Sequence, residues 1–265
     1  TEGEQARIWS RGTQNTKAYE AALESLEYFR RFNPDDVILC RKKAEEAIAL
    51  DPDYPFAVAL LAWSHLVEVW NGWSKSPAES MKKAVELGQK TLTLDENYEG
   101  AHSLLGSIYL VQKQWDKAIE AGKRAIELSP NGADANGIFG ITMSHVGRRE
   151  EAITLFKKAI RLNPIPPGRY LLYLGYAYRD AGMYREAIKE LMKVLLESPD
   201  DLRANAGLAA TYALSGQHEK AQTIVGEIRR INPKFTLDNF AKTLHYKEEK
   251  DRKLVIDALQ LAGLD

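Results

Sequence analysis

Four kinds of residue return along this chain at nearly fixed intervals. Alanines stand at Ala118, Ala152, Ala187 and Ala221, with steps of 34, 35 and 34. Pro130, Pro164, Pro199 and Pro233 keep the same steps, as do Gly106, Gly140, Gly175 and Ala209, and Tyr109, Met143, Tyr178 and Tyr212. Four columns in register over residues 99–235 define a structural repeat. A unit of this length is too small to bury its own apolar face, so it must stack on its neighbours.

Each unit reads as two helices. In "AHSLLGSIYLVQ" the apolar residues fall at helical spacing, "KQW" interrupts them, and "DKAIEAGKRAIEL" resumes the pattern. A proline then follows, where a helix cannot continue. The small columns let the two helices of a unit approach closely, and the large Leu and Tyr columns fill the space between them.

These residues resemble the tetratricopeptide repeat. Leu105-Gly106, Tyr109, Ala118, Ala125 and Pro130 match nearly all of its pattern, and Phe139-Gly140, Ala152, Phe156, Ala159 and Pro164 match as well. Gly122, Val194 and Ile228 are mild departures. The resemblance implies an all-α superhelical solenoid. Two less regular units come first. One holds Ser25, Tyr28, Ala47 and Pro52, with Cys40 in the small slot, where the thiol reads as structural. The other starts at Pro55, carries Leu61-Ala62, and has its Ala84 ten residues late. Six repeats are expected, over 18–54, 55–98, 99–132, 133–167, 168–201 and 202–235. Capping helices follow over 236–265, the last with Leu254, Ala258 and Leu261 on one face and Gly263 at its end. Residues 1–17, with Ile8 and Trp9, are expected to add a short N-terminal helix.

The insertion before Ala84 is "VEVWNGWSKSPAES". Ser76-Pro77-Ala78-Glu79 reads as a helix start, with Ser as N-cap, Pro at the first helical position and Glu as in a capping box. The first helix of this repeat then runs from about Phe56 to Asn71, and both helices exceed the usual length by about one turn. Gly72 takes the turn, and the hairpin should project beyond the edge of the array. Phe56, Trp63, Val67 and Trp70 recur at helical spacing on one face, with Trp73 at the tip. Two readings stand: a docking surface for an apolar partner, or a face covered by the first repeat or by the N-terminal "ARIWS".

No catalytic constellation is present. "HEKAQ" begins like a zinc-protease helix, but Gln222 stands where the second histidine must be. "GIFGITMSHVG" is glycine-rich, yet it lies in a repeat helix with no strand before it. Neither cofactor nor metal is expected, and the chain reads as no enzyme. A net charge of -1 supplies no basic footprint for nucleic acid. The longest apolar run, "FAVALLAW", is too short to cross a bilayer. One cysteine excludes an intramolecular disulfide and fits a reducing, cytoplasmic setting.

The resemblance also implies that first helices line a concave groove. Carried onto this chain, it places there Phe56, Trp63 and Val67 with Trp70 and Trp73, then Ser107, then Ile141 and His145, then Arg169, Tyr176 and Arg179, then Arg203. The groove is therefore expected to be aromatic early and arginine-bearing late. Those arginines could meet a carboxylate or phosphate, or Asp134 and Asp180 neutralise them. The chaperone-tail clamp of the family is rejected, since Ala59, Trp63, Ser103 and Ser107 occupy its lysine and asparagine slots. A non-catalytic scaffold for a peptide, helix or neighbouring domain is the expected function, with self-association left open. The alternative is a regulatory or sensor module of a larger signalling enzyme. "NTKAYEAALESLEYFRRFN", "NGWSKSPAESMKKA" and the closing "INPKFTLDNFAKTLHYKEEKDRKLVIDALQLAGL" resemble the C-terminal repeat region of bacterial class III adenylate/guanylate cyclases. On that resemblance the native chain is expected to extend further at its N-terminus, and this portion to make no cyclic nucleotide.

Overall fold

The computed structural model describes residues 12–163 and 165–265. The short helix expected at the N-terminus falls mainly on residues 1–11, with Ile8 and Trp9, and lies outside the described residues, as does Pro164. Fourteen helices and no strand occur among the described residues. The chain divides into two compact units, residues 1–138 and 139–265.

The first unit holds α1 (Thr16–Arg31), α2 (Pro34–Leu50), α3 (Pro55–Trp70), α4 (Pro77–Leu94), α5 (Glu99–Val111) and α6 (Trp115–Leu128). Local chemistry sets their ends. The Asn15 side chain accepts from the Lys17 and Ala18 N–H groups to cap α1, and Asn33 caps α2 with Pro34 behind it. The helices pair as α1 with α2, α3 with α4 and α5 with α6, and each pair packs on the next. The small slot of the second helix is filled by Cys40, Ala84 and Ala118, each fully buried. Ser25 donates its hydroxyl to the Cys40 carbonyl oxygen at 2.8 Å, and burial pushes the Cys40 thiol up to about 11. It is a packing residue rather than a reactive one.

α7 (Ala133–His145) begins in the first unit and ends in the second. The second unit continues with α8 (Arg149–Leu162), α9 (Gly168–Asp180), α10 (Tyr184–Glu197), α11 (Leu202–Leu214), α12 (His218–Ile231), α13 (Leu237–Ala241) and α14 (Glu249–Leu261). α6, α8, α10 and α12 each end two residues before a column proline. The glycine column has the packing role its spacing implies. A Cβ on Gly175 would meet Leu191 Cγ at 2.7 Å, and one on Gly140 would meet the Phe156 ring at 3.1 Å.

Two local expectations are corrected. Ser76 precedes α4 but makes no side-chain cap bond. The Ser74 hydroxyl instead accepts from the Ser76 N–H at 3.1 Å and pairs with the Ser80 hydroxyl at 2.9 Å. On α14 the buried side is Asp251, Val255, Ala258 and Leu259, while Leu254 and Leu261 are 37% and 59% exposed. Ala258 alone of the three expected residues faces inward. α14 docks on α11, and that docking selects the face; the helix carries apolar residues on both sides.

Candidate functional site

The expected groove residues fall into two groups, one in each unit. In the first, α3 and α4 are 16 and 18 residues long, against 13 and 14 for the first and second helices of later repeats. Gly72 closes the hairpin with φ +70°, a backbone state that a Cβ disfavours. A half-buried polar knot holds the extension. Glu68 pairs with Arg41 at 2.6 Å and accepts from the Ser80 hydroxyl, and its backbone carbonyl accepts from the Trp73 and Ser74 N–H groups at 2.8 and 3.0 Å. Burial alone would raise the Glu68 pKa, but Ser80 and Arg41 outweigh it and hold the carboxyl below its usual range.

The aromatic face of this hairpin packs on the end of α1. Phe56, Val67 and Trp70 are buried. Trp63 and Trp73 are half-buried, with ring centroids 5.9 Å from Phe29 and 6.1 Å from Phe32. Phe32 caps α1 in the left-handed region, φ +53°. The first repeat therefore covers much of the face, and Trp63 and Trp73 each keep only part of their surface exposed. Ser107 is buried and donates back to the Ser103 carbonyl oxygen at 3.0 Å on its own helix.

In the second unit the side chains converge. Arg179 is 2% exposed. Its Nε donates to Asp180 at 2.8 Å and its Nη2 to the Tyr246 hydroxyl at 2.6 Å; Tyr246 in turn donates to Asp180 at 2.8 Å. Burial would lower the Arg179 pKa, but Asp180 and the Tyr246 phenol outweigh it and keep the guanidinium charged. Its Cζ lies 4.7 Å from the centroid of the Tyr176 ring. Arg203 donates to the Tyr173 hydroxyl at 2.9 Å, and Tyr176 donates to the Arg203 carbonyl oxygen at 2.7 Å. His145 is buried, with Nδ1 2.8 Å from the Ile141 carbonyl oxygen and its ring 5.8 Å from Tyr173 and 5.5 Å from Tyr246. Burial, with Arg203 and Arg179 nearby, pushes it down to about 4. Ile141 is buried, and Arg169 lies over the Tyr170 ring at 5.1 Å. Tyr173 and Tyr246 are central here although the sequence did not single them out. Tyr246 lies 66 residues from Asp180, so no local pattern could connect them.

Among the described residues no group of histidine, cysteine or acidic side chains could hold a metal. No helix among them is long and apolar enough to cross a membrane. Sequence models of the tetratricopeptide repeat match residues 100–131, 146–201 and 178–238. The fold is that of a tetratricopeptide-repeat solenoid. A crystal structure of the APC/C hetero-tetramer Cut9–Hcn1 is similar with a TM-score of 0.66 at 19% identity; the match covers 97% of this chain and 46% of that one. This chain thus spans about half the length of the chain it matches there. The type IV pilus biogenesis factor PilW is similar at 0.57 and 23% identity, covering 78% of this chain and 89% of that one. TTC0263, a repeat protein of Thermus thermophilus, is similar at 0.56 and 20% identity, covering 73% and 98%. At these identities the likeness is one of fold. No curated protein matches the sequence.

Proposed function

We propose that this solenoid is a non-catalytic scaffold that holds a protein segment or neighbouring domain on the face built from its first helices. The observation that carries this reading is the partial exposure of Trp63 and Trp73. Two large aromatic side chains remain partly exposed on a hairpin about one turn longer than the later repeats require. Half-buried tryptophans braced by aromatic neighbours are the side chains that anchor protein interfaces. A photo-crosslinking residue in place of Trp73 should capture one discrete partner in cells. The same residue in place of the exposed Lys123 on α6 should not. Equal capture from both positions, or none from either, ends the reading.

A second reading rests on the sequence segments that resemble the C-terminal region of class III cyclases. Here the solenoid regulates or recruits for a catalytic domain on the same polypeptide. The coding sequence upstream of Thr1 tests it, and a start codon within a few codons refutes it.

A further inference from the structure

The C-terminal segment of the second unit lies across its first helices. The Lys247 N–H donates to the His145 carbonyl oxygen at the end of α7, 2.8 Å. Tyr246 closes a triangle with Arg179 and Asp180 at the end of α9. Asp251 pairs with Arg149 at the start of α8, 2.5 Å, and α14 then packs on α11. α7, α9 and α11 are the first helices of three consecutive repeats. One segment therefore touches the face that a repeat array presents to its partners.

The segment does not continue the array. Elsewhere a first helix packs on the second helix before it, as α9 does on α8 and α11 on α10, besides touching the preceding first helix, as α11 does α9. After α12 the chain forms only the five-residue α13, runs without helix to Tyr246, and brings α14 back onto α11. Its contacts resemble those of a bound peptide: a backbone bond to a helix end, a tyrosine between an arginine and a carboxylate, an acid on an arginine, then the apolar side of a short helix. Residues 204–213 of α11 are all buried, with Ala206 and Ala210 at 1% and 0% exposure.

We propose that residues 244–262 are a built-in occupant of this face. They give way to a partner segment of the same chemistry: an extended stretch with a tyrosine, then an acid that opens an amphipathic helix. The proposal rests on the reading of the first-helix face as the docking face. A tethered segment acts at an effective concentration on the order of millimolar. The occupant therefore sets a threshold that a free partner must exceed, and only a segment matching its tyrosine and acid will do so.

The probe is a dye-labelled synthetic peptide of residues 242–265. It is titrated into the full chain and into a full-chain Tyr246→Ala, Asp251→Ala variant with a loosened tail. The peptide should bind the variant at least tenfold more tightly than the wild type. Adding Arg149→Ala to the variant should remove most of that gain, because the peptide's acid then loses its partner. Equal binding to wild type and variant overturns the proposal, as does a variant that loses its overall helicity, since the tail is then a keystone of the fold. A second measurement needs no substitution. In native-state hydrogen exchange of the unchanged chain, the amides of Lys247 and of residues 255–262 should exchange at least tenfold faster than those of α9 and α11. Equal protection overturns the proposal. Crosslinking from Trp73 reads the other unit, so a failure of that reading and a failure of this proposal are told apart.

Discussion

At the scale of single residues, the turn inside each repeat carries a column of its own. Lys113, Gly147, Gly182 and Gly216 follow one another at the repeat interval, and all have φ between +59° and +82°. Glycine adopts this state freely, and other residues at a cost of about 1–2 kcal/mol. Lys113 therefore bears strain that its counterparts do not. Lys113→Gly should stabilise the protein by roughly 0.5–1 kcal/mol, after allowing for the freedom glycine adds to the unfolded chain. Gly182→Ala should destabilise it by about 1 kcal/mol. Chemical denaturation of the two variants checks both signs, and destabilisation by Lys113→Gly contradicts the strain. His145 gives a second prediction. Its folded pKa of about 4 lies below the ordinary 6.5, so the unfolded chain takes up the proton first. Stability should fall as pH drops from about 6.5 to about 4 and flatten below that. At 1.36 kcal/mol per unit the loss approaches about 3 kcal/mol. His65, also pushed down by burial, adds to the wild-type slope in the same range. The informative quantity is thus the difference from His145→Gln, whose melting temperature should depend less on pH there. Identical slopes would show that His145 stays accessible to protons.

At the scale of helices, the extended α3–α4 hairpin is where packing and docking separate. Trp70 is 6% exposed, and Trp70→Ala should cost about 3–5 kcal/mol, as large aromatic truncations do. Trp73 is half-buried at the tip, and Trp73→Ala should cost no more than about 2 kcal/mol while removing its exposed edge. Thermal melts of the two variants rank the effects; a larger loss from Trp73→Ala would make the tip part of the core. Much of this element was legible in the sequence. Pro77 marked the start of α4, Gly72 the turn, and the late Ala84 the length of the insertion, because each is dictated by backbone chemistry. The repeat columns were legible for the same reason: a helix pair this tight tolerates only a small residue at Ala118 or Gly175. The αL column was also present at the repeat interval, but Lys113 in place of glycine concealed it. What could not be read was where the amphipathic elements dock. Leu254 and Leu261 share a face with Ala258 on paper, yet α14 buries Val255 and Leu259 because of where it meets α11. Neutralisation of a groove arginine by Asp180 was one of the two readings the sequence offered, and Arg179 pairs with Asp180 at 2.8 Å. The tyrosines around the pair were hidden, because Tyr246 arrives from the far end of the chain.

At the scale of the whole molecule, each repeat gains most of its stability from its neighbours, so unfolding should depart from an all-or-none transition. The sequence provides a natural test. All five tryptophans, Trp9, Trp63, Trp70, Trp73 and Trp115, fall within residues 1–138. Tryptophan fluorescence therefore reports the first unit, while far-UV circular dichroism reports helices throughout. Gly175 lies in the second unit, where an added Cβ meets Leu191 Cγ at 2.7 Å. Gly175→Ala gains helix propensity of up to about 1 kcal/mol, but overpacking at that distance costs about 1–3 kcal/mol. Overpacking should win, because the Ala187 carbonyl lies 3.5 Å from the same Cβ and leaves Leu191 little room to withdraw. Gly226 on α12 is the control: a Cβ there meets nothing within 4 Å, so Gly226→Ala should stabilise instead. In a denaturant titration Gly175→Ala should move part of the circular-dichroism transition to lower denaturant and leave the fluorescence midpoint within error of the wild type. Trp70→Ala should do the reverse, shifting fluorescence first. If both probes move together in both variants, the chain unfolds as one cooperative body, and the nearest-neighbour account of its stability is wrong.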